Sequence, residues 1–321
     1  MALKRARISG VAGGAEEVVV RLAYRPPYDW PHTRDFLAAR AIAAVERVDA
    51  RGYARTVACE GGHALIGVSA LPGEDALELR VRGAAPAALL RLAAVARRVF
   101  DLAADPARIE VALASDPLVA PLVRQRPGLR IPGAWDAFEC AVRAVLGQQV
   151  SVAAGRTFAA RLVERAGVLI RGGADGLTHL FPTPASLASA NLETLGITRR
   201  RAATLHALAR AVLEQRLDFS AAPQVLVAAM TALPGIGPWT AQYVALRALG
   251  EPDALPTGDL VLRRMAAPQR GTLSARELEQ RARQWQPWRG YAVMHLWRAA
   301  GNPGARIDNV RNRPARVRAR A

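Results

Sequence analysis

Lysine is nearly absent from this sequence. Of the 44 basic residues among 321, Lys4 is the one lysine and the other 43 are arginines. Chemistry that depends on a buried lysine amine is therefore excluded from the body of the chain.

Metal-binding and membrane-spanning patterns are also missing. The two cysteines, Cys59 and Cys140, lie far apart, and the five histidines form no cluster. We therefore expect no zinc site, iron–sulfur cluster, disulfide framework or cofactor. No apolar run reaches the roughly 18 residues that a membrane span needs, and the first residues lack the apolar core of a signal peptide. These absences predict a soluble cytoplasmic protein that does not bind membranes.

Acidic residues are few. The chain has 27 of them, so its net charge is +17, while 51% of its residues are hydrophobic. The length and the apolar fraction predict about two domains with true cores, and the charge favours nucleic acid as a polyanionic partner. Residues 306–321 form an arginine-rich segment without apolar periodicity, which predicts a disordered basic tail. Such a tail either touches phosphates without specificity or is simply solvated.

The first part of the chain, residues 1–108, is predicted to be an α+β domain. Its strands form an antiparallel sheet, and a Gly-Gly hairpin signal joins two of them. Amphipathic patterns with Pro-rich starts predict two helices that cover one face of this sheet. The predicted strands are 16–24, 53–60, 64–70 and 76–82, and the predicted helices are 35–48 and 86–102.

Residues 109–305 are predicted to be an all-α domain. Strand signals fade after about residue 105, and short Pro- and Gly-containing turns separate successive helical patterns. The predicted helices are 135–146, 152–166, 184–190, 199–215, 224–232, 238–249, 260–266, 274–285 and 287–300.

A short turn, Leu233-Pro-Gly-Ile-Gly237, gives the strongest local signal. Pro and Gly force a tight hairpin between two helices, and Pro238 suits the first position of the second helix. The free N–H groups and the positive dipole end of that helix then make a phosphate site that needs no side chain. The alternative is an ordinary helix–helix turn.

Three side chains near this turn are candidates for chemistry. Trp239 and Tyr243 are four residues apart on one helical face, where they either pack in the core or line a pocket for an extruded base. Asp259 follows a Pro/Gly loop at a helix start, which is typical of an N-cap but also of a carboxylate held as an anion. Asp253 is a rival carboxylate, but no helix start follows it.

These segments together resemble the helix-hairpin-helix-Gly/Pro-Asp DNA glycosylases, and among them most closely the DNA-3-methyladenine glycosylase II family, the AlkA type. The hairpin alone is a weak signal, whereas the full set of motifs is specific and covers roughly residues 22–303. The matching segments are 26–30, 36–40, 126–133, 136–139, 145–151, 181–184, 233–243, 255–259, 285–289 and 295–297.

The resemblance implies a role for each matching site residue. It makes Asp259 the catalytic carboxylate, and it places Gln148-Gln149 where the family inserts a side chain into the gap left by a flipped nucleotide. It implies no metal bound by side chains, and a monovalent ion at the hairpin backbone of Leu233 and Gly235. The implied base pocket consists of Trp239, Tyr243 and Trp297, and the implied DNA contacts are Leu233, Gly235, Ile236 and Gly237 with Gln148 and Gln149.

The sequence departs from the family pattern at three positions. Gln149 replaces the usual apolar wedge. Leu260 and Arg298 stand where aromatic residues are expected beside Asp259 and Trp297, so we expect the pocket rim and the substrate range to differ from those of the family. Strand-cleaving relatives carry a lysine where this chain has Trp239. We therefore expect a monofunctional enzyme that uses water as nucleophile.

Three functions remain open from the sequence. The first is a monomeric alkylpurine DNA glycosylase of base-excision repair, acting at the nucleoid on double-stranded DNA with damaged bases. Its N-terminal domain would be a TATA-binding-protein-like unit without catalytic residues. The second is a non-enzymatic helix-hairpin-helix DNA-binding protein, and the third is a glycosylase that prefers deaminated bases such as hypoxanthine.

Overall fold

The computed structural model describes residues 7–9, 17–60, 62–170, 173, 175–267 and 271–301. The predicted basic tail, 306–321, lies outside the described residues. Within the described part of the chain, no helix is both long enough and apolar enough to cross a membrane.

An antiparallel sheet forms the N-terminal region, as predicted, but it has six strands where the sequence predicts four. Its spatial order is β1-β2-β6-β5-β4-β3. In β6, Leu77, Leu79 and Val81 are buried while the residues between them face outward, so the alternating pattern of the sequence holds. The strands are β1 Arg7–Ser9, β2 Glu17–Ala23, β3 Glu46–Asp49, β4 Gly52–Cys59, β5 Gly62–Ala70 and β6 Ala76–Arg82.

Two helices pack against this sheet, α1 (Trp30–Ala38) and α2 (Pro86–Val99). The prediction of one helix over 35–48 is wrong, because α1 ends early and β3 forms the edge strand. Ile42 and Val45 of the intervening segment are fully buried in the core of the helical domain. Glu46 accepts a hydrogen bond from the Tyr53 hydroxyl at 2.7 Å. These tertiary contacts override the local helical pattern.

Helices dominate the rest of the chain, as predicted, but the domain is not purely helical. A two-stranded ribbon pairs β7 (Val168–Leu169) with β8 (His179–Leu180), and two short helices precede the first helix predicted for this domain. The helices are α3 Pro106–Leu113, α4 Ala120–Gln125, α5 Ala137–Leu146, α6 Val152–Ala166, α7 Pro184–Ser189, α8 Arg199–Leu213, α9 Pro223–Thr231, α10 Pro238–Val244, α11 Leu260–Met265, α12 Ala275–Arg281 and α13 Arg289–Ala299, with a π-helical turn at Ala245–Leu249 and 3₁₀ turns at Glu193–Leu195 and Ala282–Trp285.

A buried ion network joins the sheet to the helical domain. Arg55 of β4 contacts Glu139 of α5 at 2.7 Å, and Arg143 contacts both Glu139 (2.7 Å) and Glu46 (2.9 Å). The Arg55, Glu46 and Glu139 side chains are 4–5% exposed. Removing one partner of such a buried pair costs about 3–5 kcal/mol because a charge is left without compensation. The network therefore fixes β3 and β4 against α5.

Candidate active site

Asp259 lies at the start of α11 and is 3% exposed. Its Oδ1 accepts a hydrogen bond from the backbone N–H of Leu262 at 2.7 Å, which makes it the N-cap of the helix. Its Oδ2 accepts a hydrogen bond from Trp239 Nε1 at 3.0 Å. One carboxylate therefore caps a helix and contacts an aromatic residue of another element.

Burial raises the pKa of the Asp259 carboxyl above its ordinary value of 3.8. Hydrogen bonds from the Leu262 backbone and from the Trp239 indole act in the opposite direction, because they stabilise the ionised form. The indole of Trp297 also lies close enough to lower this pKa, although its Nε1 has no hydrogen-bond partner among the described residues. The pKa of the carboxyl thus stays above its ordinary value, because the effect of burial exceeds that of the surrounding hydrogen-bond donors.

The three aromatic residues predicted for the base pocket lie together. The rings of Trp239 and Tyr243 stack with centroids 5.3 Å apart and planes at 15°, and the Tyr243 ring lies 6.3 Å from that of Trp297. Trp297 is 1% exposed, whereas Trp239 and Tyr243 are half-buried. Trp239 faces an open cleft that Asp259 also lines.

The hairpin adopts the geometry that its glycines suggest. Gly235 has φ +84°, and a Cβ at this position would lie 2.0 Å from Thr204 Oγ1 of α8. Gly237 is the exposed N-cap of α10, and Leu233 and Ile236 are buried in the core beneath it. The side chains of Leu233 and Ile236 thus anchor the hairpin in the core, whereas Gly235 and Gly237 line the cleft.

Gln148 and Gln149 have different environments. Gln148 Nε2 donates hydrogen bonds to the Gly235 carbonyl and to Thr240 Oγ1, both at 3.0 Å, so its side chain ties the α5–α6 turn to the hairpin. Gln149 is exposed and has φ +55°, a left-handed conformation that is unfavourable for a residue with a Cβ. The structure therefore directs Gln149, and not Gln148, toward solvent at the edge of the cleft.

The hairpin offers backbone oxygens to a cation. The Leu233 carbonyl accepts from Ile236 N–H at 3.1 Å and the Gly235 carbonyl accepts from Gln148. A carbonyl oxygen has two lone pairs, so each oxygen keeps one for a monovalent ion. Within the described residues, no group of three or more His, Cys, Asp or Glu side chains could hold a metal.

Two arginines of α8 lie near the site. Arg201 of α8 donates a hydrogen bond to the Gln148 carbonyl and so supports the α5–α6 turn. Arg200 lines the same cleft and is exposed. The structure therefore gives Arg201 a positioning role at this turn.

The N-terminal region also reaches the aromatic residues. Arg40 follows the end of α1 and lines a cavity together with Trp239 and Tyr243. Its guanidinium carbon lies 3.7 Å from the centroid of the Phe36 ring, and Arg247 lies 4.4 Å from the same ring. The only sequence signal for these contacts is that residues 36–40 belong to one of the segments that resemble the family.

The remaining sequence candidates have structural partners or flank the site. Asp253 pairs with Arg289, with contacts of 2.8 and 2.7 Å, and so secures the start of α13. Leu260 lines the cleft directly after Asp259. Arg298 is half-buried directly after Trp297.

A helical hairpin with a Gly/Pro turn, followed by an aspartate at the next helix start, is characteristic of one class of DNA repair proteins. A family model described as the HhH-GPD superfamily of base excision DNA repair proteins matches residues 142–289. A model of the AlkA N-terminal domain matches residues 19–136.

Comparison with individual proteins identifies the family within this class. DNA-3-methyladenine glycosylase 2 of Escherichia coli K12 is 38% identical over 289 residues, which cover 87% of this chain and 97% of that protein. The chain therefore belongs to the DNA-3-methyladenine glycosylase 2 family.

Two further comparisons describe the extent of the similarity. A Mycobacterium tuberculosis protein named "Probable bifunctional transcriptional activator/DNA repair enzyme AlkA" is 37% identical over 301 residues, and the chain spans about 60% of its length. The solved 3-methyladenine DNA glycosylase of Archaeoglobus fulgidus has the same fold, with a TM-score of 0.76 at 19% identity over 88% of this chain and 98% of that one.

Proposed function

We propose that this chain is a monofunctional DNA glycosylase of base-excision repair, which hydrolyses the bond between deoxyribose and an alkylated purine such as 3-methyladenine or 7-methylguanine. The observation that carries the proposal is the contact between Asp259, a buried carboxylate, and Trp239, an aromatic residue in an open cleft beside the hairpin. A protein that only binds DNA has no need of this arrangement.

DNA binds through its backbone in this mechanism. The exposed N-terminus of α10 presents free N–H groups and a positive dipole end to a phosphate, and these contacts do not depend on sequence. A monovalent ion held by the Leu233 and Gly235 carbonyls would add positive charge there. The net charge of +17 favours association with DNA in general.

The damaged nucleotide is then extruded from the helix. Gln149 enters the gap, where its amide can hydrogen-bond to the base left without a partner. The extruded base stacks on the aromatic residues Trp239, Tyr243 and Trp297. Alkylation at N3 or N7 gives the purine a positive charge, which both favours an aromatic surface and weakens the glycosidic bond.

Asp259 acts on the sugar. As the glycosidic bond breaks, its electron pair leaves with the base and positive charge develops on the deoxyribose, which the carboxylate stabilises. A water molecule adds to C1′ and transfers a proton to the carboxylate or to solvent, so the products are free base and an abasic site. No lyase step follows, because residues 5–321 contain no lysine to form a Schiff base.

All residues of the proposed site come from one chain, so a monomer suffices. Double-stranded DNA with damaged bases is the proposed partner, and this substrate places the protein at the nucleoid.

Release of free base from methylated DNA tests the proposal. We expect wild type to release 3-methyladenine and to leave strand breaks that appear only after alkali treatment. Asp259→Asn should lose at least about 100-fold in single-turnover rate, as is typical when one electrostatic stabiliser is removed, yet retain DNA binding. Asp253→Asn is the matched control, because Asp253 pairs with Arg289 and should not affect the rate. A near-normal rate for Asp259→Asn would refute the assignment, and breaks before alkali would refute the monofunctional mechanism.

A further inference from the structure

The cleft that contains Asp259 has a third side besides the hairpin and the α5–α6 turn. This side is the first turn of α8, which begins at Arg199. Arg200, Arg201 and Thr204 line the cleft, whereas Arg199 does not. Successive residues of an α-helix are about 100° apart around its axis, so the two exposed arginines at 199 and 200 point in different directions.

Contacts with both neighbouring elements hold this turn of α8 in place. Arg201 donates a hydrogen bond to the carbonyl of Gln148, which directly precedes the proposed wedge Gln149. Thr204 is 4% exposed and lies against the hairpin, since a Cβ at Gly235 would be 2.0 Å from its Oγ1. The first turn of α8 is therefore anchored to the wedge turn at one residue and to the hairpin three residues later.

The guanidinium of Arg200 has no partner within the described part of the chain. The residue is exposed, and neither an ion pair nor a side-chain hydrogen bond joins it to another described residue. Asp259 is the one acidic side chain among the described residues that line the cleft, and its oxygens accept from Leu262 and Trp239. The charge of Arg200 is therefore not neutralised by the protein.

We propose that Arg200 binds a backbone phosphate of the DNA close to the extruded nucleotide. A guanidinium matches the oxygens of a phosphate and binds them in pairs. Arg200 is one residue from the anchor on the wedge turn, so the phosphate that it reaches lies near the gap that the wedge fills. The contact carries no sequence information and gives the duplex a second fixed point beside the hairpin. This inference rests on the proposed function, because that function brings DNA to the cleft.

The affinity for a duplex that carries a tetrahydrofuran abasic-site analogue, measured over a series of salt concentrations, tests the proposal. Arg200→Gln should weaken binding about tenfold, the lower range for loss of a hydrogen bond to a charged group. It should also reduce the slope of log K against log salt concentration by about 1, because one fewer counterion is released.

Arg199→Gln is the matched control for this measurement. It removes the same charge from the neighbouring residue, which is equally exposed and does not line the cleft. We expect it to leave the salt slope nearly unchanged. Equal effects of the two variants would overturn the proposal, because Arg200 would then act only through the net charge of the chain.

A map of the phosphates identifies the contact itself. Neutral methylphosphonate linkages replace the phosphates around the analogue one at a time, on both strands. Wild type should lose affinity at one linkage to which Arg200→Gln is insensitive. Arg200→Lys keeps a positive charge and should remain sensitive there. If no linkage distinguished wild type from Arg200→Gln, or if Arg200→Lys were as insensitive as Arg200→Gln, the phosphate contact would be refuted.

The two proposals can fail separately. If wild type bound this duplex but released no base from alkylated or deaminated DNA, the glycosylase proposal would fail, and the phosphate map would still decide the role of Arg200. If base release were normal and Arg199→Gln matched Arg200→Gln in affinity and salt slope, only the contact at Arg200 would be overturned.

Discussion

Trp239 Nε1 donates a hydrogen bond to Asp259 Oδ2 at 3.0 Å, while the ring of the same tryptophan stacks on Tyr243 at 5.3 Å. One side chain therefore forms part of the proposed base pocket and also donates a hydrogen bond to the proposed catalytic carboxylate. Because a change in the position of this ring would affect both contacts, we expect base binding and sugar chemistry to be coupled through Trp239.

The pKa of Asp259 predicts a pH dependence for base excision. The carboxyl must be ionised to stabilise a cationic sugar, and burial raises its pKa above 3.8. The single-turnover rate should therefore be constant at neutral pH and fall as the pH drops through this elevated pKa. Trp239→Phe removes one donor that lowers the pKa, so its rate should begin to fall at a higher pH than that of wild type. Trp288→Phe, which changes a tryptophan packed on Tyr291, should leave the profile unchanged. An unshifted profile for Trp239→Phe would contradict the coupling.

We predict that removal of the Trp239 ring weakens discrimination between lesion-containing and undamaged DNA. Stacking of a base on an aromatic side chain contributes about 1–3 kcal/mol, so Trp239→Ala should reduce the preference for lesion-containing over undamaged DNA by about 5- to 150-fold. Affinity for undamaged duplex should change little, because the hairpin contacts the backbone. The ratio of the two dissociation constants measures the effect. An equal loss of affinity for both DNAs would instead indicate a folding role for the ring.

Two glycines of the hairpin form a matched pair for mutation. Gly235→Ala introduces a Cβ 2.0 Å from Thr204 Oγ1 at a φ of +84°, whereas a Cβ at Gly237 meets no atom within 4 Å. The left-handed backbone alone costs about 1–2 kcal/mol for alanine, and the steric clash adds to it. Gly237→Ala should cost no more than about 1 kcal/mol as an N-cap change. Urea unfolding and DNA-binding titrations measure both effects. Equal destabilisation by the two variants would show that the contact with Thr204 does not constrain the hairpin.

The backbone conformation of Gln149 predicts that one substitution will raise the stability of the protein and lower its activity. Its φ of +55° is strained for glutamine but not for glycine, so Gln149→Gly should stabilise the protein by about 1 kcal/mol. The same change removes the side chain that we propose fills the gap in the DNA, so base extrusion should slow, as measured by the fluorescence of 2-aminopurine next to a lesion. Gln215, with φ +56° after α8, provides the control. Gln215→Gly should give the same stabilisation with normal extrusion, and normal extrusion by Gln149→Gly would exclude the wedge.

Local patterns predicted most of the elements that hold the site. The start of α10 at Pro238 and that of α11 after Asp259 depend on a proline and on a capping carboxylate, and both act within a few residues of the chain. The edge strand β3 was not predicted from the sequence. Its first residue, Glu46, is held in place by contacts with Tyr53 and with Arg143, which is distant in the chain. Local propensity contains no information about such distant partners.

The sequence by itself determined the chemistry available to this protein. Near absence of lysine, a hairpin with two glycines and one aspartate at a helix start are all properties of short segments. Only the tertiary structure decided that Trp239 contacts Asp259, that Gln149 faces solvent in a left-handed conformation, and that Arg40 lies beside Tyr243. The physical reason is that these side chains belong to elements far apart in the chain. They meet because the burial of separate apolar cores and of one ion network brings the helices and the sheet together.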